Sequence, residues 1–113
     1  MAAAADDCLF CRVVAGDVPA TTVREGERVL AFEDIDPQAP THVLVVPRDH
    51  YATVGDLAAG DPEALAELVR EAAAVAGGDD FRLVFNTGAG AGQSVFHVHG
   101  HVLAGRPLRW PPG

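Results

Sequence analysis

The chain has 113 residues, a formal net charge of −8 and 49% hydrophobic residues, and all eight of its cations are arginine. That length and apolar content suit one domain with one core, and the acidic balance argues against RNA or DNA as a partner. Without lysine there is no Schiff base and no phosphate loop of the Gly-Lys-Ser/Thr kind, so any phosphate must be met by histidines, backbone amides and hydroxyls.

In chain order, Met1–Asp7 lacks a basic n-region and a long apolar core, and no apolar run approaches the roughly 18 residues of a membrane span. A cytoplasmic protein is expected, with residues 1–7 disordered. Residues 8–15 carry Leu9, Phe10, Val13 and Val14 at helical spacing and read as a short helix ended by Gly16 and Pro19. Thr22–Arg24 and Arg28–Glu33 read as strands around a turn at Glu25-Gly26-Glu27. Asp36–Pro40 is a loop by its prolines, and Val43–Pro47 is a β-branched run typical of a buried strand. Asp61 caps the clearest helix, Pro62 fits its first turn, Leu65, Leu68, Val69 and Ala72 recur on one side, and Gly77-Gly78 stops it. Arg82–Asn86 is a strand, Thr87–Gly92 a glycine-rich loop and Val95–Ala104 the last strand. Residues 105–113 form a C-terminal tail. Strands that follow one another directly indicate an α+β fold with a mainly antiparallel sheet.

The chemistry concentrates in His97-Val98-His99-Gly100-His101. In an extended strand these three imidazoles share one face, roughly 7 Å apart at about 3.4 Å per residue. A neutral imidazole attacks phosphorus through one nitrogen when the proton on the other is held by a hydrogen bond. The alternatives are three polar residues on a half-buried strand, or a metal site using two or three of them. The preceding loop offers glycine amides, including Gly92, for an anion, with Asn86, Gln93 and Ser94 as neutral donors; its other reading is a flexible connection. Cys8 and Cys11 have the spacing of half a zinc site, with His42, His50 or His97 available to complete it. A redox dithiol or two small buried residues are the other readings. Asp34 and Asp36 fit either ribose binding or a turn, and His42 is undecided by its spacing.

At these residues the chain resembles the histidine triad (HIT) superfamily, and more closely its branch of nucleotide-binding proteins, the purine nucleoside phosphoramidases. The resemblance runs from Cys8 to Gly113 and is strongest over Gly92–Leu103 and Asp34–His42, with a similar ending at Trp110-Pro111-Pro112-Gly113. It implies one HIT domain over 1–113, with a five-stranded sheet and one long and one short helix. It further implies a homodimer whose sheets join into one. The activity implied is cleavage of purine nucleoside phosphoramidates, such as AMP joined to an amine, through a nucleotidyl-histidine intermediate and without magnesium.

By the same resemblance His99 matches the nucleophile and His101 the neighbour that contacts phosphate. Asn86, Gln93 and Ser94 match phosphate and leaving-group contacts, Asp34 the ribose binder, and Leu9, Phe10, Val13, Phe32 and Ile35 the base pocket. Trp110 matches a tail residue that reaches the partner subunit's site. Cys8, Cys11, His50 and His97 match a structural zinc site. Two positions depart from the pattern: Gly100 replaces a bulky apolar residue, and Asp36 replaces a serine. The competing functions are a dinucleoside polyphosphate hydrolase, a non-catalytic nucleotide sensor or scaffold, and a metal-dependent hydrolase in which His97, His99 and His101 all bind the ion.

Overall fold

Two apolar runs, Val29–Glu33 (β2) and Thr41–Pro47 (β3), form the centre of a five-stranded sheet. The computed structural model describes residues 7–113; apart from Asp7, which lies in an exposed turn, the disorder expected for residues 1–7 falls outside the described residues. Thr22–Glu25 (β1), Phe81–Val84 (β4) and Gly100–Ala104 (β5) complete the sheet in the order β1-β2-β3-β5-β4, antiparallel throughout. The two edges are therefore β1 and β4.

Strand alternation divides the core between the two faces. Val29, Ala31, Val43, Val45 and Val102 pack under Leu57, Ala64, Leu68 and Ala72. These last residues come from Val54–Gly60 (α2) and Pro62–Ala76 (α3). On the other face Leu30, Phe32, Leu44 and Val46 meet Phe10, Cys11 and Val13 of Leu9–Ala15 (α1). Cross-strand pairing of Leu44 with both Phe32 and His101 puts His101 on this second face. Because α1 covers only part of that face, the stretch over β5 and β4 is left for a site.

The caps follow the sequence. Asp61 accepts from the Ala64 amide, Pro62 opens α3, and Gly77 ends it in a left-handed conformation at φ 64°. Gly16 ends α1 in the same way at φ 85°. Glu67, a buried acid that the pattern alone does not explain, fastens α3 to the β1–β2 turn. Its carboxylate accepts from the backbone amides of Arg28 at 2.7 Å and Val29 at 3.2 Å. Such bonds to a charged acceptor contribute about 1.5–3 kcal/mol each.

The structure adds and trims elements. The short helix α2 was not anticipated; its signal is Thr53, whose hydroxyl caps it by accepting from the Asp56 amide at 3.2 Å. The strand expected over Arg82–Asn86 is Phe81–Val84, and the one expected over Val95–Ala104 begins only at Gly100. Before Gly100 the chain leaves the sheet, and the Val98 amide donates to the Tyr51 carbonyl at 2.7 Å. Gly100 itself sits where neighbours fill its place: a Cβ there would lie 2.8 Å from Leu83 Cδ1 and 3.2 Å from two ring carbons of Phe85. The volume that a larger residue would use is thus taken up from β4 and the segment after it. Among the described residues no helix is long and apolar enough to cross a membrane.

Candidate active site

The three histidines do not share one strand face, because only His101 lies in β5. The irregular stretch before Gly100 sends them in different directions. His97 is fully buried and turns toward α1, whereas His99 and His101 line a cavity of about 630 Å³. The rings of His99 and His101 are 5.0 Å apart between centroids.

That cavity is also lined by Leu9, Phe10, Val13, Phe32, Asp34, Ile35 and Ser94, which were assigned from sequence to base, ribose and phosphate. Its floor is built from three rings: Phe10 stands edge-on to Phe32 at 5.5 Å and to His99 at 5.0 Å. Ile35 borders the cavity while fully exposed itself. Val18, Pro19, Leu44 and Val95 complete the apolar wall; their sequence context, a loop and two strands, carried no signal for a pocket.

Fixed backbone partners set the protonation of each ring. A carbonyl only accepts, so His99 Nδ1 carries the proton and donates to the His97 carbonyl at 2.9 Å. Its Nε2 lone pair is left for chemistry. A backbone amide only donates, so His42 Nδ1, 3.0 Å from the Gln38 amide, accepts and the His42 proton sits on Nε2. That Nε2–H donates to His101 Nδ1 at 2.9 Å, and the remaining proton of His101 is therefore on Nε2. The Gln38 amide thus orients two rings in succession.

Burial disfavours the charged forms of His101 and His99. It pushes the His101 imidazolium down to about 4, helped by the neighbouring His99 and His42 and opposed by Asp34. Burial lowers His99 as well, against the opposing pull of its bond to the His97 carbonyl and of Asp34. A neutral His99 is the form that can attack an electrophile.

Asp34 holds the loop entering β3. One of its oxygens accepts from the Asp36 amide at 2.8 Å, and the other lies 3.4 Å from His42 Nε2. Asp34, His42 and His101 are close enough to hold a cation. The tautomers oppose it, because His42 Nε2 carries a proton and could release it only by placing one on Nδ1, against the Gln38 amide.

The other cluster has the ligand set of a metal site. Cys8, Cys11, His50 and His97 each offer a ligand atom, all within 4.8 Å of one another. His97 Nε2–H donates to the Pro47 carbonyl at 2.8 Å, which turns its Nδ1 lone pair toward Cys8 Sγ at 3.3 Å and Cys11 Sγ at 3.4 Å. Burial pushes the His97 imidazolium down to about 4. His50 Nδ1 lies 3.3 Å from Cys11 Sγ, and the Cys11 amide donates to Cys8 Sγ. Two sulfurs and two imidazole nitrogens suit a tetrahedral ion such as zinc. With His97 turned into this cluster and His99 Nδ1 bound to a carbonyl, the arrangement in which His97, His99 and His101 share one ion does not form.

The remaining candidates sit around the cavity. Ser94 lines it directly, but Gln93 is buried and its amide is taken up by backbone partners. Its amide donates to the Ala52 and Val95 carbonyls at 2.7 and 3.2 Å and accepts from the Gly88 amide at 2.9 Å. Gln93 is therefore a brace of the glycine loop here. Gly92 ends a single turn of 3-10 helix, Ala89–Ala91, at φ 97°. Asn86 borders a separate cavity on the far side of His101, and Trp110 is largely exposed on the tail.

The HIT domain family model matches residues 15–108. The chain is 43% identical to an uncharacterised HIT-like protein of Synechocystis, covering 96% of this chain and 99% of that one. It is 38% identical to the purine nucleoside phosphoramidase of Escherichia coli K12, covering 92% of each. Among solved structures it is similar to a HIT family hydrolase of Legionella pneumophila, with a TM-score of 0.89, 46% identity, and coverage of 95% of this chain and 100% of that one.

Proposed function

This chain belongs to the HIT family, and from that premise we propose that it hydrolyses purine nucleoside 5′-phosphoramidates, such as AMP joined to an amine, through a nucleotidyl intermediate on His99. The observation that carries this reading is the 2.9 Å bond from His99 Nδ1–H to the His97 carbonyl, on a ring that lines a cavity with Phe10 and Phe32. It leaves one unprotonated imidazole nitrogen beside space for a nucleoside.

The base lies against Leu9, Phe10, Val13, Phe32 and Ile35, and Asp34 receives the ribose hydroxyls. His99 Nε2 attacks the α-phosphorus and the P–N bond breaks. The amine departs with a proton drawn from solvent through His101 Nε2, which stays neutral, and nucleotidyl-His99 is left as a cation. Water then attacks phosphorus, its hydroxyl going to the nucleotide and its other proton to solvent. AMP leaves and both rings return to their starting forms. His101, the Ser94 hydroxyl and glycine-loop amides such as that of Gly92 stabilise the phosphoryl oxygens, while Gln93 holds the loop in place. No magnesium is required, because the imidazole supplies the nucleophile.

Zinc in the Cys8, Cys11, His50 and His97 cluster supplies a structural crosslink between α1 and the segment before β5. The protein acts as a single HIT domain over 1–113 in the cytoplasm and pairs into a homodimer whose sheets join into one. Its tail, 105–113, carries Trp110 toward the partner's site, and Asn86 contacts the leaving group. The test is incubation with AMP–amine conjugates followed by rapid acid quench and mass spectrometry. A protein adduct one AMP heavier, mapped to His99, is expected; turnover with no adduct under single-turnover conditions contradicts the covalent route.

A further inference from the structure

On the far side of His101 from the nucleoside cavity lies a second cavity of about 440 Å³, lined among others by Arg82, Asn86, Arg106 and Arg109. Among the described residues His101 is the one common to its lining and to that of the nucleoside cavity. The fold explains the arginines. Arg82 pairs with Leu103 in β4–β5, two residues along from His101 on the same face, and the tail returns Arg106 and Arg109 over that face. Arg106 Nε donates to the Gln38 carbonyl at 3.0 Å and its Nη1 to the Pro107 carbonyl at 2.9 Å, both neutral acceptors.

The charge balance there runs against the rest of the molecule. The chain has 16 acids and 8 arginines, yet among the described residues no acid lines this cavity. Among the described residues no carboxylate comes within ion-pair distance of Arg82, Arg106 or Arg109. Asp79 and Asp80 border only an adjoining cavity, which Arg82 and Arg106 share.

In an in-line displacement the leaving group departs opposite the attacking nitrogen. With the nucleoside on one side of His101, the leaving group has the arginine-lined cavity on the other. We infer that this cavity receives the leaving group and selects one that carries negative charge, so that the preferred substrates are nucleoside 5′-conjugates whose leaving group bears a carboxylate or a phosphate. The inference rests on the phosphoramidase reading and names its substrate class. The bonds are those already described: P–N, or P–O for a phosphate leaving group, breaks as His99 Nε2–P forms. The departing amine takes a proton from solvent through His101, whereas a phosphate departs as the anion. Guanidinium suits both anions because it makes paired hydrogen bonds to either.

The experiment compares kcat/KM for AMP linked through nitrogen to aspartate, AMP linked to alanine methyl ester, and diadenosine tetraphosphate. It uses the intact protein and its R82Q and R109Q variants at low and high salt. The wild type is expected to favour aspartate over the neutral ester by about tenfold, with the ratio shrinking at high salt and collapsing toward one in the variants. Faster turnover of the tetraphosphate than of the aspartate conjugate also supports the inference and identifies phosphate as the anion source. A wild-type ratio at or below one, or a ratio unchanged in both variants, overturns the inference and leaves the phosphoramidase reading standing. No turnover of any conjugate overturns both.

Discussion

The carbonyl oxygen of His97 lies 2.9 Å from His99 Nδ1, while the ring of the same His97 faces the sulfurs of Cys8 and Cys11. One residue therefore aims the proposed nucleophile with its backbone and joins the candidate metal cluster with its side chain. The helix that supplies Cys11, and is capped by Cys8, also supplies Leu9, Phe10 and Val13 to the proposed nucleoside cavity.

Metal removal is accordingly expected to loosen the pocket as well as the fold. Chelation, or the C8S/C11S double substitution, should lower the melting temperature by about 5 °C or more. It should also weaken AMP binding at least about threefold, through reciprocal linkage between the two sites. Calorimetric titration of AMP and hydrogen exchange over Leu9–Ala15 check this. Unchanged AMP affinity after complete metal loss would separate the two sites.

His42 orients His101 through the bond from its Nε2–H to His101 Nδ1. In H42A the His101 Nδ1 loses its donor, so the tautomer is no longer held. The expected result is a fall in kcat of about 10²-fold with KM little changed. Nitrogen NMR of the His101 ring should show an unprotonated Nδ1 in the wild type and a tautomer mixture in the variant. A variant with wild-type kcat would remove His42 from the chain of hydrogen bonds.

Acid sensitivity has a definite sign. His101 titrates near 4 in the folded protein and at about 6.5 when unfolded. Between those values the unfolded chain binds the additional proton, so this contribution to stability is present above about 6.5 and is lost as pH falls toward 4. Unfolding free energy measured from pH 7 to 4 should drop less steeply in H101N than in the wild type. Parallel profiles would mean that His101 is not held neutral.

G100A tests how β4 compensates for the missing side chain. The added methyl meets Leu83 Cδ1 at 2.8 Å and the Phe85 ring at 3.2 Å, a small overpacking expected to cost about 1–3 kcal/mol. Pairing it with L83A should restore part of that loss in denaturant unfolding. A neutral G100A would show that Leu83 and Phe85 shift freely.

Local chemistry made much of the fold legible. Asp61, Pro62 and Gly77 bound α3, Gly16 ends α1, and the β-branched run at Val43–Val46 makes the central strand. The alternation of His97, His99 and His101 misled, because alternation implies a shared face only while a strand continues, and here Val98 bonds to the Tyr51 carbonyl outside the sheet. The division of His97 from His99 and His101 was visible only through family resemblance. Partners distant in sequence stayed hidden: the Pro47 carbonyl on His97, the Gln38 amide on His42, and the turn amides on Glu67. Gln93 read as a phosphate donor because its local spacing says nothing of Ala52, 41 residues away, which holds its amide.

The most direct measurement is on H99A, with AMP binding by calorimetry and hydrolysis of an AMP–amine conjugate followed side by side. The expected result is AMP affinity within about threefold of wild type and a loss of turnover of at least about 10³-fold. Hydrolysis by H99A at the wild-type rate would contradict a nucleotidyl-His99 intermediate.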